Sequence, residues 1–167
     1  NNSLQITHNN MQEEQKVLKI GDSLPELSLP AYNPVKDEEV SIKLKDYKGK
    51  WKIFFFYPAD FTFVCPTELE EMAENYDAFQ KEGAEVFSVS TDTVFVHKAW
   101  HDNSEAIKKI KYPMIADPAG VLSKLFFFFI TVVGDAGLAL RGTFIVDPDG
   151  VLQTIEVNAN LIGCCSI

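Results

Sequence analysis

A short apolar run leads into a loop that carries a cysteine, and the pattern of a helix follows at once. Residues 51–57 are apolar except for Lys52 and are rich in aromatic side chains. A run of this length and composition predicts a strand buried on both faces. Pro66 suits the first turn of a helix, and apolar residues then recur at helical spacing from Leu69 to Phe79. The sequence therefore places Cys65 where a strand has ended and a helix begins.

The alternation of strands and helices continues along the chain. The first helix is predicted to end at Gly83, and a strand is predicted over Ala84–Ser90. Helical structure within residues 94–110, a short strand over 112–116 and a helix ending near residue 125 follow. The last predicted elements are the two strands of a hairpin, over 138–146 and 151–157. Upstream, residues 41–44 are predicted as a short strand and residues 46–50 as a turn. This order predicts an α/β sandwich in which helices flank a mixed central sheet.

Length and composition indicate one globular domain. The chain has 167 residues, of which 46% are apolar and 23% charged, and these values are ordinary for a globular protein. Residues 1–17 show no clear periodicity. We therefore expect a flexible N-terminal extension over residues 1–17 and a single domain over residues 18–167.

Charge, apolar segments and cysteines limit the partners. A net charge of −9 argues against nucleic acid, since phosphate binding needs clustered Lys and Arg. The longest apolar stretch, residues 125–133, is much shorter than the ~20 residues of a membrane span, and the first 17 residues lack the apolar core of a secretory signal. The cysteines, Cys65, Cys164 and Cys165, are sparse and odd in number. We expect reactive thiols in a cytoplasmic protein.

Cys65 is the candidate nucleophile. Free backbone N–H groups and the positive end of the helix dipole at a helix start favour the thiolate, and the thiolate is the reactive form of cysteine. The alternative is a buried structural cysteine, since free cysteine is among the most buried residue types. The local sequence leaves both interpretations open.

Arg141 lies in an apolar predicted strand and needs a partner there, because an unpaired buried charge is unfavourable. It could lower the pKa of a neighbouring thiol and hold an oxygen-rich substrate, or it could form an ordinary salt bridge or face solvent. Thr62 could present its hydroxyl to the same pocket, or cap a turn. Glu68 could brace Arg141, or complement the helix dipole.

His97 and His101 lie one helical turn apart, a spacing that can bind a metal. A third ligand at motif spacing is not evident, so solvent-facing or hydrogen-bonded histidines are favoured and we expect no metal site. A disulfide oxidoreductase with a Cys-x-x-Cys motif at the helix start is disfavoured, because Glu68 occupies the position of the second cysteine.

Several blocks of the sequence resemble the peroxiredoxins, in particular the typical two-cysteine group that includes the peroxidase component of bacterial alkyl hydroperoxide reductase. They are residues 56–69 (FYPADFTFVCPTEL), 88–93 (SVSTDT), 96–100 (VHKAW), 112–118 (YPMIADP) and 137–144 (GLALRGTF). The block around Cys65 is highly specific, and the resemblance extends over about residues 18–160.

The resemblance implies a thioredoxin-like fold and a peroxidase. Cys65 would be the peroxidatic cysteine, with Pro58, Thr62 and Arg141 at the other active-site positions. The implied reaction reduces hydrogen peroxide and small organic hydroperoxides and leaves Cys65 as a sulfenic acid, with no metal or bound cofactor. A thioredoxin or a flavoprotein disulfide reductase would restore the thiol. The resemblance also implies a homodimer that can assemble into a decamer.

Two features depart from the family pattern. Compared with the family pattern, we expect the usual C-terminal arm and its resolving cysteine to be missing. Cys164 or Cys165 could substitute, or both could be incidental thiols near a frayed end. Residues 126–129 are four consecutive phenylalanines, which suit a repacked core, a partner-facing patch or an aggregation-prone segment. The alternative function is accordingly a ring-forming, chaperone-like or interaction protein with little peroxidase turnover.

Overall fold

One mixed sheet organises the part of the chain that the computed structural model describes, which is residues 17–62, 65–126 and 140–158. Within these ranges the strands are β1 (Ser28–Asn33), β2 (Glu38–Lys43), β3 (Trp51–Phe56), β4 (Ala84–Ser90), β5 (Met114–Ala116), β6 (Arg141–Val146) and β7 (Leu152–Asn158). Their order across the sheet is β2-β1-β5-β4-β3-β6-β7. Strands β3, β4 and β5 run parallel, whereas β1, β2, β6 and β7 pair with their neighbours in antiparallel fashion. The predicted mixed sheet is confirmed.

Helices cover both faces of this sheet. They are α1 (Cys65–Glu74), α2 (Tyr76–Lys81), α3 (Val94–Asn103) and α4 (Val121–Phe126), with 3₁₀ turns at Leu44–Tyr47 and Ile107–Lys109. Side chains alternate between the two faces of a strand, so Phe54 of β3 packs with Phe126 of α4 while Tyr57, just past β3, packs with Trp100 of α3. Both environments are buried, as the apolar run predicts.

The predicted helix over residues 66–83 is divided. Helix α1 ends at Glu74 and α2 begins at Tyr76, while the Asn75 side chain donates a hydrogen bond to the Glu71 carbonyl at 2.9 Å. A short polar side chain that bonds to the backbone competes with helical structure. The predicted end at Gly83 is confirmed, and this glycine has a φ of +77°, which other residues adopt with difficulty.

Other boundaries in the first half of the chain differ from the prediction. The structure has a β1–β2 hairpin where only residues 41–44 were expected as a strand, because β2 is a mostly exposed strand whose side chains carry a weak apolar pattern. The expected turn at residues 46–50 begins earlier, as the 3₁₀ turn Leu44–Tyr47. The predicted helical structure within residues 94–110 is confirmed: α3 ends at Asn103, since Ser104 has extended backbone geometry, and the 3₁₀ turn Ile107–Lys109 follows.

Some predictions fall outside the described residues. These are the extension over residues 1–17 apart from Val17, the phenylalanine run apart from Phe126, the first two residues of the predicted strand at 138–146, and both Cys164 and Cys165. Leu18 belongs to the core and its backbone N–H donates to the Leu125 carbonyl at 2.8 Å. Within the described ranges, none of the helices has the length and apolar character to cross a membrane.

Candidate active site

The candidate site lies at the carboxyl end of β3, where three elements meet. Cys65 is the first residue of α1, which confirms the predicted helix start. Strand β6 runs antiparallel to β3, and its second residue, Gly142, pairs with Phe56 at the end of β3. Arg141 therefore enters the sheet at the same end from which the chain leaves β3 towards Cys65.

Arg141 and Glu68 form a buried ion pair at this position. Arg141 Nη1 donates to Glu68 Oε2 at 2.6 Å, and the two residues are only 2% and 3% exposed. Glu68 lies in the first turn of α1, three residues after Cys65. Of the alternatives for these residues, a solvent-facing Arg141 is excluded, and Glu68 does contact Arg141. The guanidinium is thus held against the helix turn that begins with Cys65.

Pro58 and Thr62 flank the loop between β3 and α1. Pro58 is buried, and Thr62 is half-buried. The Thr62 Oγ1 hydroxyl donates to the Ala59 carbonyl at 3.2 Å, which is a turn-capping contact. Between them, Phe61 has a φ of +56°, an unfavourable backbone region for a bulky residue. Such outliers concentrate at functional sites, and contact of Thr62 with a substrate stays a prediction.

A buried polar network supports the same loop and was not predicted from the sequence. Tyr57 donates its hydroxyl proton to Asp60 Oδ1 at 2.5 Å, and Asp60 Oδ2 lies 2.6 Å from His97 Nδ1. His97 Nε2 donates to the Ile115 carbonyl at 2.9 Å, so one proton is shared between Nδ1 and Oδ2. The backbone N–H of Asp60 in turn donates to Asp92 Oδ2 at 2.8 Å. The loop is therefore tied to β4, β5 and α3.

Burial controls the protonation of this network. Burial raises the pKa of Asp60, against the opposing hydrogen bonds from His97 and Tyr57. Burial also raises the pKa of Tyr57 well above its ordinary value, and the Asp60 carboxylate adds to the effect. Tyr57 therefore stays a phenol and keeps donating. One feature of the sequence could have indicated the network: His97 lies on the same helix face as the apolar residues Val94 and Trp100, all three of which are buried.

Both histidines make hydrogen bonds to protein groups. His101 Nε2 donates to the Ile110 carbonyl at 3.2 Å, and His97 is used by the network above. Among the residues described, no group of three His, Cys, Asp or Glu side chains converges as a metal site. The hydrogen-bonded alternative for His97 and His101 is the one observed.

Residues 20–155 match the model of the AhpC/TSA family. The chain belongs to the AhpC/TSA family. Alkyl hydroperoxide reductase C of Staphylococcus haemolyticus (strain JCSC1435) is 56% identical over 133 residues, which cover 80% of this chain and 69% of that protein. Alkyl hydroperoxide reductase C of Staphylococcus aureus (strain N315) is 55% identical over 134 residues, with the same coverage of each chain.

Solved structures of this family share the fold. The crystal structure of Enterococcus faecalis AhpC has a TM-score of 0.75 at 47% identity, covering 83% of this chain and 80% of that one. The reduced 2-Cys peroxiredoxin of Plasmodium vivax has a TM-score of 0.79 at 29% identity, covering 90% and 77%. This AhpC/TSA chain is therefore a peroxiredoxin with a thioredoxin-like fold, an oxidoreductase that reduces peroxides by thiol chemistry.

Proposed function

We propose that this peroxiredoxin reduces hydrogen peroxide and small organic hydroperoxides at Cys65. The Cys65 thiolate attacks the terminal oxygen of the hydroperoxide, the O–O bond breaks, and an S–O bond forms. Cys65 becomes a sulfenic acid, and the departing alkoxide or hydroxide takes a proton from water and leaves as alcohol or water. The protein supplies the two electrons through sulfur, so the step needs no metal or bound cofactor.

The buried Arg141–Glu68 pair is the observation that carries this proposal. Glu68 fixes the guanidinium beside the first turn of α1, the turn that Cys65 begins. A fixed cation stabilises a thiolate, and it also stabilises the negative charge that develops on the departing oxygen. Because the pair is already buried and oriented, little reorganisation is needed when the charge moves from sulfur to oxygen.

Pro58 and Thr62 complete the proposed site. The buried ring of Pro58 follows β3 closely and would keep water from the thiolate. Thr62 donates its proton to the Ala59 carbonyl, and its oxygen retains lone pairs that can accept a hydrogen bond from a hydroperoxide. In this proposal Thr62 positions the substrate while Arg141 stabilises charge.

Recycling needs a thiol donor and a resolving step. We propose a thioredoxin or a flavoprotein disulfide reductase as the reductant, acting by thiol–disulfide exchange, with Cys164 or Cys165 as candidate resolving cysteines. A homodimer, with assembly to a decamer, is the proposed oligomeric state. The cytoplasm is the proposed compartment, because a sparse and odd-numbered set of cysteines suits a reducing environment. Co-purification of the reductase activity and subcellular fractionation test these points.

The first experiment follows one turnover. Reduced protein is mixed rapidly with one equivalent of hydrogen peroxide and analysed by intact mass, beside Cys65→Ser and beside Cys164→Ser and Cys165→Ser, which both keep Cys65. We expect a fast gain of one oxygen in the wild type and in Cys164→Ser, and a loss of at least ~10³ in rate in Cys65→Ser, as for removal of other catalytic nucleophiles. A disulfide that disappears in Cys164→Ser or Cys165→Ser would identify the resolving residue.

Slow oxidation of the wild type would contradict the proposal. If the wild type oxidises as slowly as Cys65→Ser, the proposed peroxidase site is wrong. Protection of an aggregating client protein, retained in Cys65→Ser, would then favour the chaperone-like alternative.

A further inference from the structure

Lys52 is a buried lysine at the opposite end of β3 from the candidate active site. Its side chain is almost fully covered, and its Nζ donates to the carbonyls of Lys50 at 3.0 Å and Asp147 at 3.4 Å. Among the described residues, no carboxylate lies within ion-pair distance of this ammonium group. Two backbone dipoles therefore hold a full positive charge, and the third N–H of the ammonium has no acceptor in the described part of the chain.

Lys52 lines a cavity of about 190 Å³. Part of the lining is apolar, with Leu24, Leu44 and Val146 among its residues, and Lys45 and Lys48 add two more lysines. The volume corresponds to roughly six water molecules at ~30 Å³ each. It is smaller than the pockets of ~300 Å³ or more that hold drug-sized ligands, so an occupant must be small.

The positive charge here is concentrated in an otherwise acidic protein. Five lysines lie between residues 43 and 52, at positions 43, 45, 48, 50 and 52, although the net charge of the chain is −9. The net charge of the whole chain therefore does not reveal this local cluster of lysines. Glu26 and Asp149 also line the cavity, so its three lysines face two carboxylates. This balance favours an occupant with one negative charge over a polyanion.

The carboxylate of Asp147 does not neutralise the Lys52 ammonium, so Lys52 can still bind an anion. The Asp147 carboxylate accepts hydrogen bonds from the backbone N–H groups of Asp149 and Val151 and from Gln153 Nε2. Burial lowers the pKa of Lys52 from its ordinary value, and the charge of Asp147 opposes this only in part. An anion placed beside Lys52 would offset the loss of hydration that burial causes.

We propose that this cavity binds a small monocarboxylate with a short alkyl chain. The carboxylate accepts a charge-assisted hydrogen bond from Lys52, which is the strong class of hydrogen bond, and the alkyl chain packs on Leu24 and Leu44. Lys45 and Lys48 attract the anion to the cavity through a longer-range field. The site lies at the other end of β3 from Cys65, so this inference is independent of the peroxidase proposal.

The test uses sodium butyrate and the full chain. Protein labelled with ¹³C at the lysine side chains is titrated with butyrate, and the Lys52 Cε–Hε resonance is followed by NMR, with n-butanol and n-butylammonium as probes of equal length. We expect a saturable shift with butyrate, and no saturation with butanol or butylammonium over the same range. A butanol response equal to that of butyrate, or no saturable shift with butyrate, would overturn the proposal.

Variants separate the site from general effects of charge. Lys52→Met keeps an unbranched stem and removes the ammonium, and it should weaken butyrate binding by at least about tenfold, equal to 1.4 kcal/mol, measured by calorimetry. The matched control Lys108→Met removes an exposed lysine elsewhere and should bind as the wild type does. Unchanged affinity in Lys52→Met would overturn the proposal.

A second variant tests the site without changing a buried residue, so its result does not depend on whether Lys52→Met folds. Lys45→Ser/Lys48→Ser changes only exposed residues, and it should weaken butyrate severalfold and reduce the dependence of binding on salt. Circular dichroism and the rate of Cys65 oxidation, both expected to be unchanged in all three variants, show that the fold is retained. Wild-type affinity and salt dependence in this variant would contradict the role given to Lys45 and Lys48.

Discussion

The two ends of β3 each bury a cation, but they satisfy it in different ways. At the carboxyl end, Arg141 is paired with the buried carboxylate of Glu68 at 2.6 Å. At the amino end, Lys52 has two backbone carbonyls as partners and lines a cavity. The Arg141 charge is neutralised by the fixed carboxylate of Glu68. The Lys52 charge is held by backbone dipoles beside a cavity, so it can still bind an anion.

The two cations also differ in how their charge is tuned. Arg141 carries a planar guanidinium, so Glu68 can orient it towards reacting oxygens. Lys52 is a flexible amine whose pKa burial lowers. The first arrangement suits catalysis that requires fixed geometry, and the second suits reversible binding. Substitutions at each end of β3 test this difference, from the largest expected effect to the smallest.

Arg141→Met should have the largest effect on both rate and stability. It leaves Glu68 buried without its cation, which typically costs about 3–5 kcal/mol in the free energy of unfolding. It also removes the proposed charge stabilisation, so the rate of Cys65 oxidation should fall by about 10²-fold or more. Urea denaturation and stopped-flow peroxide oxidation measure the two effects, with Lys52→Met as the control that should oxidise at the wild-type rate. Full activity in Arg141→Met would remove Arg141 from the proposed mechanism.

Glu68→Gln should make Arg141 resemble Lys52, as a buried cation that the side chain at position 68 no longer neutralises. The amide oxygen still accepts from the guanidinium, but the countercharge is lost, as it is at Lys52. We expect a loss of stability smaller than the about 3–5 kcal/mol of Arg141→Met, because a hydrogen bond to the guanidinium remains. The oxidation rate should fall less than in Arg141→Met, because the cation remains. A rate as low as that of Arg141→Met would mean that Glu68 itself is needed for the chemistry.

Lys52→Met should leave stability unchanged or raise it by about 1 kcal/mol. Removing a buried charge and filling its place with an apolar chain is often neutral or stabilising. The Lys50 and Asp147 carbonyls lie in exposed and half-buried residues, so water can replace the ammonium as their partner. Urea unfolding against the wild type measures this change. Destabilisation as large as that of Arg141→Met would show that the two cations are equally essential to the fold.

The smallest effect is a pH dependence that Lys52→Met should abolish. The folded pKa of Lys52 lies below its ordinary value of 10.5, so between these two values the unfolded chain binds more protons. Stability rises with pH wherever that holds. The wild type should therefore gain stability relative to Lys52→Met as pH rises through the folded pKa of Lys52 towards 10.5. Tyrosine ionisation affects both proteins equally, so the difference between their urea midpoints isolates Lys52, and a constant difference would contradict the prediction.

Much of the fold could be predicted because local pattern and tertiary environment agree. The apolar run before Cys65 is a buried strand, Ala84–Ser90 is a strand, and Cys65 begins a helix. The divided helix at Asn75 could not be predicted, since one side-chain contact with the Glu71 carbonyl accompanies the break. Strands β1 and β2 were also mostly missed. The edge strand β2 is mostly exposed and shows little apolar alternation, and Pro30 interrupts the pattern of β1.

The sequence by itself determined which side chains are available for chemistry and where the chain changes from strand to helix. Those properties follow from local preferences and from the periodicity of apolar residues. Only the tertiary structure decided which charges meet. Arg141 and Glu68 are distant in the chain, as are Asp60 and His97. Their contacts exist because β6 pairs with β3 and because α3 packs against β5. Packing across the whole chain likewise decides that Lys52 forms no ion pair with a described carboxylate.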